Sequence, residues 1–481
     1  MAAQAGAMSR LFIDLASLIQ WYGPPVGIAR CQERFALYAR RHLPGTVFTV
    51  FDPRTNRPRP IRPEFVDGVL AGRIKLYLGF LPVPGSARIH TIDRVPARLR
   101  PHYWWVMRFR RKLVLAIERR RLAAATPDAR ARWSAMQEAL LTPKLRPMVE
   151  ASDGSRVDVP DIDDLLLPPV ELGPDDVTLA IQSDWTHTDV AAMLAQRDRA
   201  GSRYVALCHD VIPLMFPQWY SASDVRSVRR HFEQAFARAD RILFTSQRAA
   251  GDALSWCAEN GIRCADHRCV PLGADPFPAT APSGLPKPLE AGRFALYVST
   301  VEPRKNHATL VDAWRGLVRD GTVARAGFRL VFVGRKGWMM GDFSARLAAD
   351  PELAGTVVHL QGIGDDALAA LYRDAAFCLY PSIYEGYGLP PIEALARGKA
   401  LIASTGGPIP ELVGDFAVCL DPHDTAAWES RLRAWMTGSD EPARLAARAL
   451  RDYRAVTWEE SARALFEAAL SAGHKGATPV A

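Results

Sequence analysis

Two carboxylates on either side of a glycine- and proline-rich break are the strongest chemical signal in the chain. Glu385 and Glu393 lie eight positions apart in YPSIYEGYGLPPIEALARG, residues 380–398. The segment predicts a strand, a loop carrying Glu385, and a helix with Glu393 in its first turn. Such an edge of a parallel sheet binds anionic ligands, and Glu393 can accept hydrogen bonds from both hydroxyls of a ribose. The alternative is a helix-capping Glu393 and a solvated Glu385.

A pair of cations follows another strand-like run. YVSTVEPRKNH, residues 297–307, places Arg304 and Lys305 in the turn before a helix that Asn306 is expected to cap. Two fixed cations beside a helix N-terminus suit a diphosphate, because a guanidinium can bind two oxygens at once. An isolated Arg-Lys pair is usually solvated. In this turn, with the Glu385 motif one or two βα units later, the pair predicts a phosphate site.

Two weaker signals lie in the first half of the chain. Gly27 opens a helix with the sequence GIAR, where glycine permits a phosphate or sugar to approach the backbone. A helix start without a ligand fits that pattern nearly as well. His209 and Asp210 end a strand-like run in ALCHDVIP, residues 206–213. A ligand-facing role and a structural histidine both remain open there.

Alternating strand-like and helix-like runs predict that these residues are carried by two parallel α/β units. A Pro- and Ala-rich linker at 279–292 divides residues 9–278, with an irregular insertion at about 85–175, from residues 293–455. Residues 1–8 are expected to be a short flexible leader, and residues 456–481 a final helix and tail opened by a capping box. Strands are predicted at 11–14, 47–51, 177–181, 204–208 and 242–245, then at 294–299, 329–333, 357–360, 377–380, 401–403 and 418–420.

The positive charge of the chain is concentrated in one segment. The formal net charge is +8, and residues 94–121 contain ten arginines and lysines against one glutamate. A nucleic-acid-binding protein would spread its basic residues more widely. The segment predicts a basic amphipathic helix on an anionic membrane surface, or else a helix packed on its own domain with solvated arginines. The candidate membrane contacts are Trp104, Trp105, Arg108, Arg110, Arg111 and Lys112.

Composition excludes several other classes. No apolar run approaches the ~18 residues of a transmembrane helix, and the first eight residues lack the features of a signal peptide. The seven scattered cysteines fit reduced thiols in a cytosolic protein. Asp161-Ile-Asp163 has the spacing of a metal-binding Asp-x-Asp, but it lies in the irregular insertion and is interpreted as loop chemistry. No metal site is predicted.

The two strong motifs resemble the retaining nucleotide-sugar glycosyltransferases of family four, also called glycosyl transferases group 1. YEGYGLPPIEALARG and VSTVEPRKNH carry the resemblance, which is strong from about 294 to 470, thinner over 9–53 and 204–247, and essentially absent from 55 to 175. It implies the GT-B fold, an α/β architecture of two Rossmann-like domains facing a central cleft. Ser299 stands where many relatives carry glycine, and Lys399 where a proline is common.

The resemblance also implies roles for particular residues. The N-terminal domain would hold the acceptor and the C-terminal domain the nucleotide sugar. Arg304 and Lys305 would bind the donor's diphosphate, Glu393 the ribose and Glu385 the transferred sugar, which His209 would face from the first domain. Further donor contacts would come from Gly27, from the backbone at Gly388 and Leu389, and from the backbone near Gln361 and Gly362, which would meet the base.

These observations lead us to expect a cytosolic, membrane-peripheral, retaining hexosyltransferase that extends a lipid-linked surface glycan or lipopolysaccharide. The motif EPRKNH resembles mannosyl- and rhamnosyl-transferring relatives, which suggests GDP-mannose as the donor, with no cofactor and no required metal. Two alternatives remain. One is an epimerase or hydrolase of the same fold that acts on the nucleotide sugar, and the other is a degenerate, non-catalytic protein that docks on membranes.

Overall fold

The chain folds into two α/β domains, each built on a mostly parallel sheet. The computed structural model describes residues 10–21, 25–52, 55–76, 160, 162–181, 188–274, 284–337, 340 and 343–473, and the single positions 106, 109 and 120. The strands are β1 (Leu11–Asp14), β2 (Val47–Asp52), β3 (Arg57–Pro60), β4 (Val177–Ala180), β5 (Arg203–Cys208), β6 (Arg241–Phe244), β7 (Asp266–Cys269), β8 (Phe294–Val298), β9 (Arg329–Val333), β10 (Val357–Leu360), β11 (Phe377–Tyr380), β12 (Leu401–Ser404) and β13 (Val418–Leu420).

Helices connect the strands and cover both faces of each sheet. In the first domain they are α1 (Ala16–Ile19), α2 (Ile28–His42), α3 (Pro63–Leu70), α4 (Ile162–Leu165), α5 (Val190–Ala200), α6 (Ile212–Met215), α7 (Ala222–Arg238) and α8 (Gln247–Glu259). In the second half of the chain they are α9 (His307–Arg319), α10 (Thr322–Ala326), α11 (Phe343–Ala349), α12 (Asp365–Asp374), α13 (Leu389–Ala396), α14 (Ile409–Val413), α15 (Thr425–Met436), α16 (Glu441–Asp452) and α17 (Trp458–Leu470).

The strand orders are those of doubly wound sheets. The first sheet runs β3-β2-β1-β4-β5-β6-β7 and the second β10-β9-β8-β11-β12-β13. All pairings are parallel except that of β3 with β2. The interior strands are short apolar runs buried on both faces, as parallel sheets require. The predicted α/β class with two Rossmann-like domains is confirmed.

All eleven predicted strands are present, each within one residue of its predicted bounds, but two edge strands were missed. β3 has the sequence RPRP, and β7 has the sequence DHRC with alternating exposed residues. Proline cannot donate to a sheet, so β3 is tolerated only at an edge, where it pairs on one side. β7 also has a neighbour on one side only, and its polar composition reflects that position.

The end of the predicted insertion rejoins the first domain. Leu165 and Leu166 are buried in the core of that domain, and the backbone of Leu167 donates to Pro60 at the edge of the sheet. Asp163 forms an ion pair with Arg59 at 2.8 Å. Asp163 lies on a short helix and not in a loop as predicted, and Asp161 lies outside the described residues.

The last helix, α17, crosses back to the first domain. The predicted capping box is present, with Thr457 and Glu460 bonding each other's backbone N–H groups. Trp458 packs edge-on against Phe35 of α2, and their ring centroids are 5.8 Å apart. Arg203, at the start of β5, donates to carbonyls at the C-terminal end of the helix. The core of the first domain therefore includes side chains from residues 458–472.

The two domains make direct polar and apolar contacts. Glu411 of α14 accepts hydrogen bonds from the backbone N–H groups of Gln247 and Arg248, at 2.9 and 3.0 Å, at the start of α8. Ile392 of α13 packs into the core of the first domain, and Arg335, after β9, lies over the ring of Trp21. The carboxyl edges of the two sheets meet along this interface.

Candidate functional site

Glu385 joins the two predicted phosphate-binding cations. Its Oε1 accepts from Lys305 Nζ at 2.6 Å, and its Oε2 accepts from Arg304 Nη1 at 2.7 Å. The Tyr380 hydroxyl donates to the same Oε1 at 3.0 Å. Glu302 Oε1 lies 2.7 Å from Arg304 Nε, so a second carboxylate holds the guanidinium from its other side. β8 and β11 are neighbours in the sheet, and their following loops bring these residues together.

The cluster is buried and electrically balanced. Burial raises the pKa of Glu385, but Arg304 and Lys305 outweigh burial and hold that pKa at about 2. Burial and the adjacent guanidinium lower the pKa of Lys305. Burial also raises the pKa of Glu302, against the effect of the two cations. Because each cation is already bonded to a carboxylate, a bound diphosphate must share or replace those bonds.

The turn that presents the cations is held by Asn306. This residue adopts a left-handed conformation, with φ 56°, directly after the 3₁₀ turn Pro303–Lys305. The prediction that its side chain caps α9 is wrong. Its amide donates instead to the carbonyls of Pro381 and Pro422, at 3.0 and 2.7 Å, and its oxygen accepts from Thr309. Asn306 thereby fixes the turn to the neighbouring loops.

Glu393 is paired with a residue of the other domain. Arg30 Nη1 donates to Glu393 Oε1 at 2.6 Å, and the two side chains are 18% and 9% exposed. Glu393 is the fifth residue of α13, so the prediction that it lies in the first turn of that helix is wrong. The helix begins at Leu389, one residue before the prolines. Among the described residues, none donates to Glu393 Oε2, which remains available to a hydroxyl.

His209 and Asp210 lie opposite the Glu385 loop. His209 Nε2 is 3.3 Å from the carbonyl oxygen of Ile181, and burial lowers the pKa of the imidazole to about 4. A Cβ on Gly386 would lie 2.5 Å from Asp210 Oδ2 and 2.9 Å from the His209 carbonyl oxygen. The absence of a side chain at Gly386 is therefore what lets the two domains approach here.

The remaining predicted donor contacts lie on the same two edges. Gly27 precedes α2 with φ 54°, and a Cβ there would meet nothing within 4 Å. Gly388, with φ 115°, precedes α13, and Leu389 is the first residue of that helix. Gly362 follows β10, two strands away from β8. The side-chain amide of Gln361 donates to the hydroxyl of Ser344. The contact predicted for the nucleotide base involves the backbone of Gln361 and not this side chain.

The predicted membrane segment lies largely outside the described residues, including Trp104, Trp105, Arg108, Arg110, Arg111 and Lys112. Val106 and Phe109 are helical and more than half exposed. Over the part of the chain that the structure describes, no helix has the length and apolarity needed to cross a bilayer. The same part contains no cluster of three or more His, Cys, Asp or Glu side chains suited to a metal ion.

Three members of the site, Arg30, Glu302 and Tyr380, were not predicted from the sequence. Arg30 stands in the GIAR motif, but only the glycine of that motif was singled out. Glu302 stands directly before the Pro-Arg-Lys turn, and Tyr380 ends the strand before Glu385. Each of the three has a polar side chain near the end of a predicted strand or the start of a predicted helix. That position could have identified them as candidates for the site.

Two Rossmann-like domains that face each other, with a cation and carboxylate cluster at the carboxyl edge of the second sheet, define the GT-B class of fold. The structure of HepE from Anabaena in complex with UDP superposes with a TM-score of 0.54 at 14% identity, covering 96% of this chain and 99% of that one. At that identity the likeness shows the fold alone. The predicted GT-B fold is confirmed.

The match to a protein family lies in the second domain. Residues 286–452 match the model described as glycosyl transferases group 1, and this domain belongs to that family. The serotype-specific mannosyltransferase WbdA of Escherichia coli is 30% identical over 253 residues, 49% of this chain and 30% of that protein. The O-antigen chain mannosyltransferase B of Escherichia coli is 27% identical over 261 residues, 53% of this chain and 67% of that protein. The chain thus spans well under half of the length of the WbdA proteins that it matches.

Proposed function

We propose that the protein is a retaining hexosyltransferase that moves mannose from GDP-mannose to a growing glycan. The observation that carries the proposal is the Glu385 carboxylate, which holds Arg304 and Lys305 at 2.7 and 2.6 Å on the cleft edge of the second sheet. A helix N-terminus and two oriented cations at this edge match the needs of a nucleoside diphosphate. In this proposal, Glu393 Oε2 accepts a hydrogen bond from a ribose hydroxyl.

The chemistry follows from the direction in which charge moves. Breaking the anomeric bond develops negative charge on the diphosphate, and Arg304 and Lys305 stabilise that charge in a site with little water. Glu385 keeps both cations in position until the donor arrives and then accepts hydrogen bonds from hydroxyl groups of the transferred sugar. His209, uncharged through burial, faces the sugar from the first domain without adding a competing charge.

Retention requires the acceptor hydroxyl to attack the face that the diphosphate leaves. In this proposal, the departing phosphate oxygen takes the proton of the attacking hydroxyl, so no separate protein base is needed. The cations supply the charge stabilisation that a divalent metal would otherwise provide. A metal is therefore not required.

The sugar and the acceptor are proposed from the relatives. WbdA and the O-antigen chain mannosyltransferase B are named as mannosyltransferases, which favours mannose as the transferred sugar. We propose a lipid-linked glycan as the acceptor, reached at the cytoplasmic face of a membrane through the basic segment 94–121. The epimerase or hydrolase alternative predicts turnover of the donor without any acceptor.

Thermal-shift screening against nucleotide sugars and nucleoside diphosphates tests the proposal. A ligand well above its dissociation constant raises the melting temperature by several degrees. GDP-mannose and GDP should stabilise the protein more than their uridine counterparts, and the product formed on alkyl mannosides should carry a new α linkage by NMR. Stabilisation by no nucleotide would contradict the proposed function, and an isomerised donor in the absence of acceptor would favour the epimerase.

A further inference from the structure

Asp210 is an acidic residue of the site to which no role in donor binding has been assigned. It follows β5 in the first domain, and Oδ1 accepts from the backbone N–H of Ile212 at 3.0 Å. Among the described residues, none donates to Oδ2, and Asp210 forms no ion pair. Its side chain is partly exposed. A carboxylate oxygen without a partner at the edge of a polar cleft is available to a ligand's hydroxyl.

The position of Asp210 indicates which part of the bound substrates it would contact. Oδ2 would lie 2.5 Å from a Cβ on Gly386, directly beside Glu385 in the chain. The groups proposed to bind diphosphate and ribose lie on the second domain, and Asp210 faces them from the first. A carboxylate repels a phosphate, so its ligand is a hydroxyl. This places Asp210 at the sugar end of the cleft.

A group of aromatic rings adjoins both sides of this point. Phe216, which follows the short helix after Asp210, stacks on Trp219 with ring centroids 4.6 Å apart. It also contacts Tyr384, the residue before Glu385, with a centroid distance of 5.0 Å. Phe216 and Trp219 are partly exposed. Aromatic rings beside a hydrogen-bonding carboxylate suit a sugar, which has an apolar C–H face and polar hydroxyl edges.

We propose that Asp210 binds a hydroxyl of the acceptor sugar and that the partly exposed rings of Phe216 and Trp219, supported from behind by the buried Tyr384, form the wall against which this sugar packs. The proposal rests on the proposed function, since it assigns the acceptor of that transfer. It adds a subsite on the first domain whose ligand is the terminal monosaccharide of the acceptor glycan. A hydrogen bond to a carboxylate is stronger than one between neutral groups, so Asp210 contributes to acceptor affinity and orientation.

The variant Asp210→Asn separates this role from a structural one. Asparagine keeps an oxygen that can accept from Ile212, so the turn is retained while the charge is lost. The matched control is Asp198→Asn, an exposed site near the C-terminal end of α5, at the sheet edge away from the cleft. Each variant is assayed for GDP-mannose binding, donor hydrolysis without acceptor, and transfer to the alkyl mannoside that the wild type uses.

We expect Asp210→Asn to raise the KM for the alkyl mannoside at least about tenfold. Donor affinity and donor hydrolysis should change much less than the acceptor KM, because Asp210 forms neither an ion pair nor a hydrogen bond with Arg304 or Lys305 among the described contacts. Trp219→Leu should shift the acceptor KM in the same direction. An unchanged acceptor KM in Asp210→Asn would overturn the inference, and so would a loss confined to donor affinity. Failure of the wild type to bind any nucleotide or to transfer to any alkyl mannoside would contradict the proposed function itself.

Discussion

Arg30 and Glu393, 363 positions apart in the chain, meet across the interface of the two domains with Nη1 2.6 Å from Oε1. The residue predicted to hold the ribose is thus also a contact that joins the domains. If Glu393 binds the donor as proposed, donor binding and the contact between the domains draw on the same carboxylate. Of its two oxygens, Oε1 accepts from Arg30, and Oε2 is the one proposed to bind the nucleotide.

Replacing Glu393 with alanine should weaken GDP binding at least about tenfold, because a ribose hydroxyl loses its charged acceptor. Isothermal titration calorimetry measures the change. Glu411→Ala is the matched control, since Glu411 also bridges the domains but bonds the start of α8. Equal losses in both variants would show that Glu393 acts only through domain closure.

Replacing Lys305 with methionine should lower kcat by about 10²- to 10³-fold, because one of the two cations facing the leaving diphosphate is removed. Steady-state transfer kinetics give the value, and circular dichroism checks the fold. Lys399→Met is the control. Lys399 is also partly buried, but it donates to the carbonyls of Arg373 and Ala375. Full activity of Lys305→Met would contradict the assignment of the phosphate site.

Adding one methyl group at Gly386 should separate the domains at the site. The new Cβ would lie 2.5 Å from Asp210 Oδ2, 2.8 Å from its Cβ and 2.9 Å from the His209 carbonyl oxygen, so backbone must move. We expect Gly386→Ala to lose most transfer activity and to increase the radius of gyration in X-ray scattering. Gly251→Ala, in α8 where a Cβ meets nothing within 4 Å, should change neither. A fully active Gly386→Ala would argue against the close approach.

Acid should destabilise the second domain through a buried histidine. Burial lowers the pKa of His307 from 6.5 to about 3, and its ring packs against Tyr297, Phe332 and Phe343. Between those pH values the unfolded chain binds a proton that the folded chain does not, so stability falls as the pH drops below 6.5.

The melting temperature of His307→Phe should therefore fall less between pH 7 and pH 5 than that of the wild type. Burial also lowers the pKa values of His209 and His231 to about 4, so part of the dependence of stability on pH remains in this variant. His423→Gln is the control, because this histidine is exposed. An identical pH dependence in His307→Phe and the wild type would count against the prediction.

Local patterns were sufficient to predict most of the fold. Buried runs such as FCLY and LIAS are bounded by turn residues, and each predicted strand falls within one residue of its observed bounds. The edge strands Arg57–Pro60 and Asp266–Cys269 were missed because their pairing on one side tolerates prolines and polar side chains. Whether such a segment forms a strand depends on its position at the edge of the sheet, and its amino-acid composition does not reveal that position.

The site was predictable where neighbouring strands supply it. Arg304 and Glu385 were both predicted to face an anionic ligand, and they follow β8 and β11, which are adjacent in the sheet. The two motifs are three βα units apart in the chain, not one or two as predicted, because β9 and β10 lie on the other side of β8. The pairing of Arg30 with Glu393 depends on how two domains dock, and no local pattern encodes that. Asn306 shows a different limit, because its sequence suits a helix cap while the available carbonyls lie in other loops.

The crossing of α17 back to the first domain has a consequence for biosynthesis. Trp458 and Phe466 supply part of the core around Phe35 and Tyr38, although these residues leave the ribosome more than four hundred positions later. The N-terminal sheet can form early, but part of its apolar core stays uncovered until residues 458–470 have been made. A nascent chain that has not yet reached Trp458 therefore exposes apolar surface that the finished protein buries.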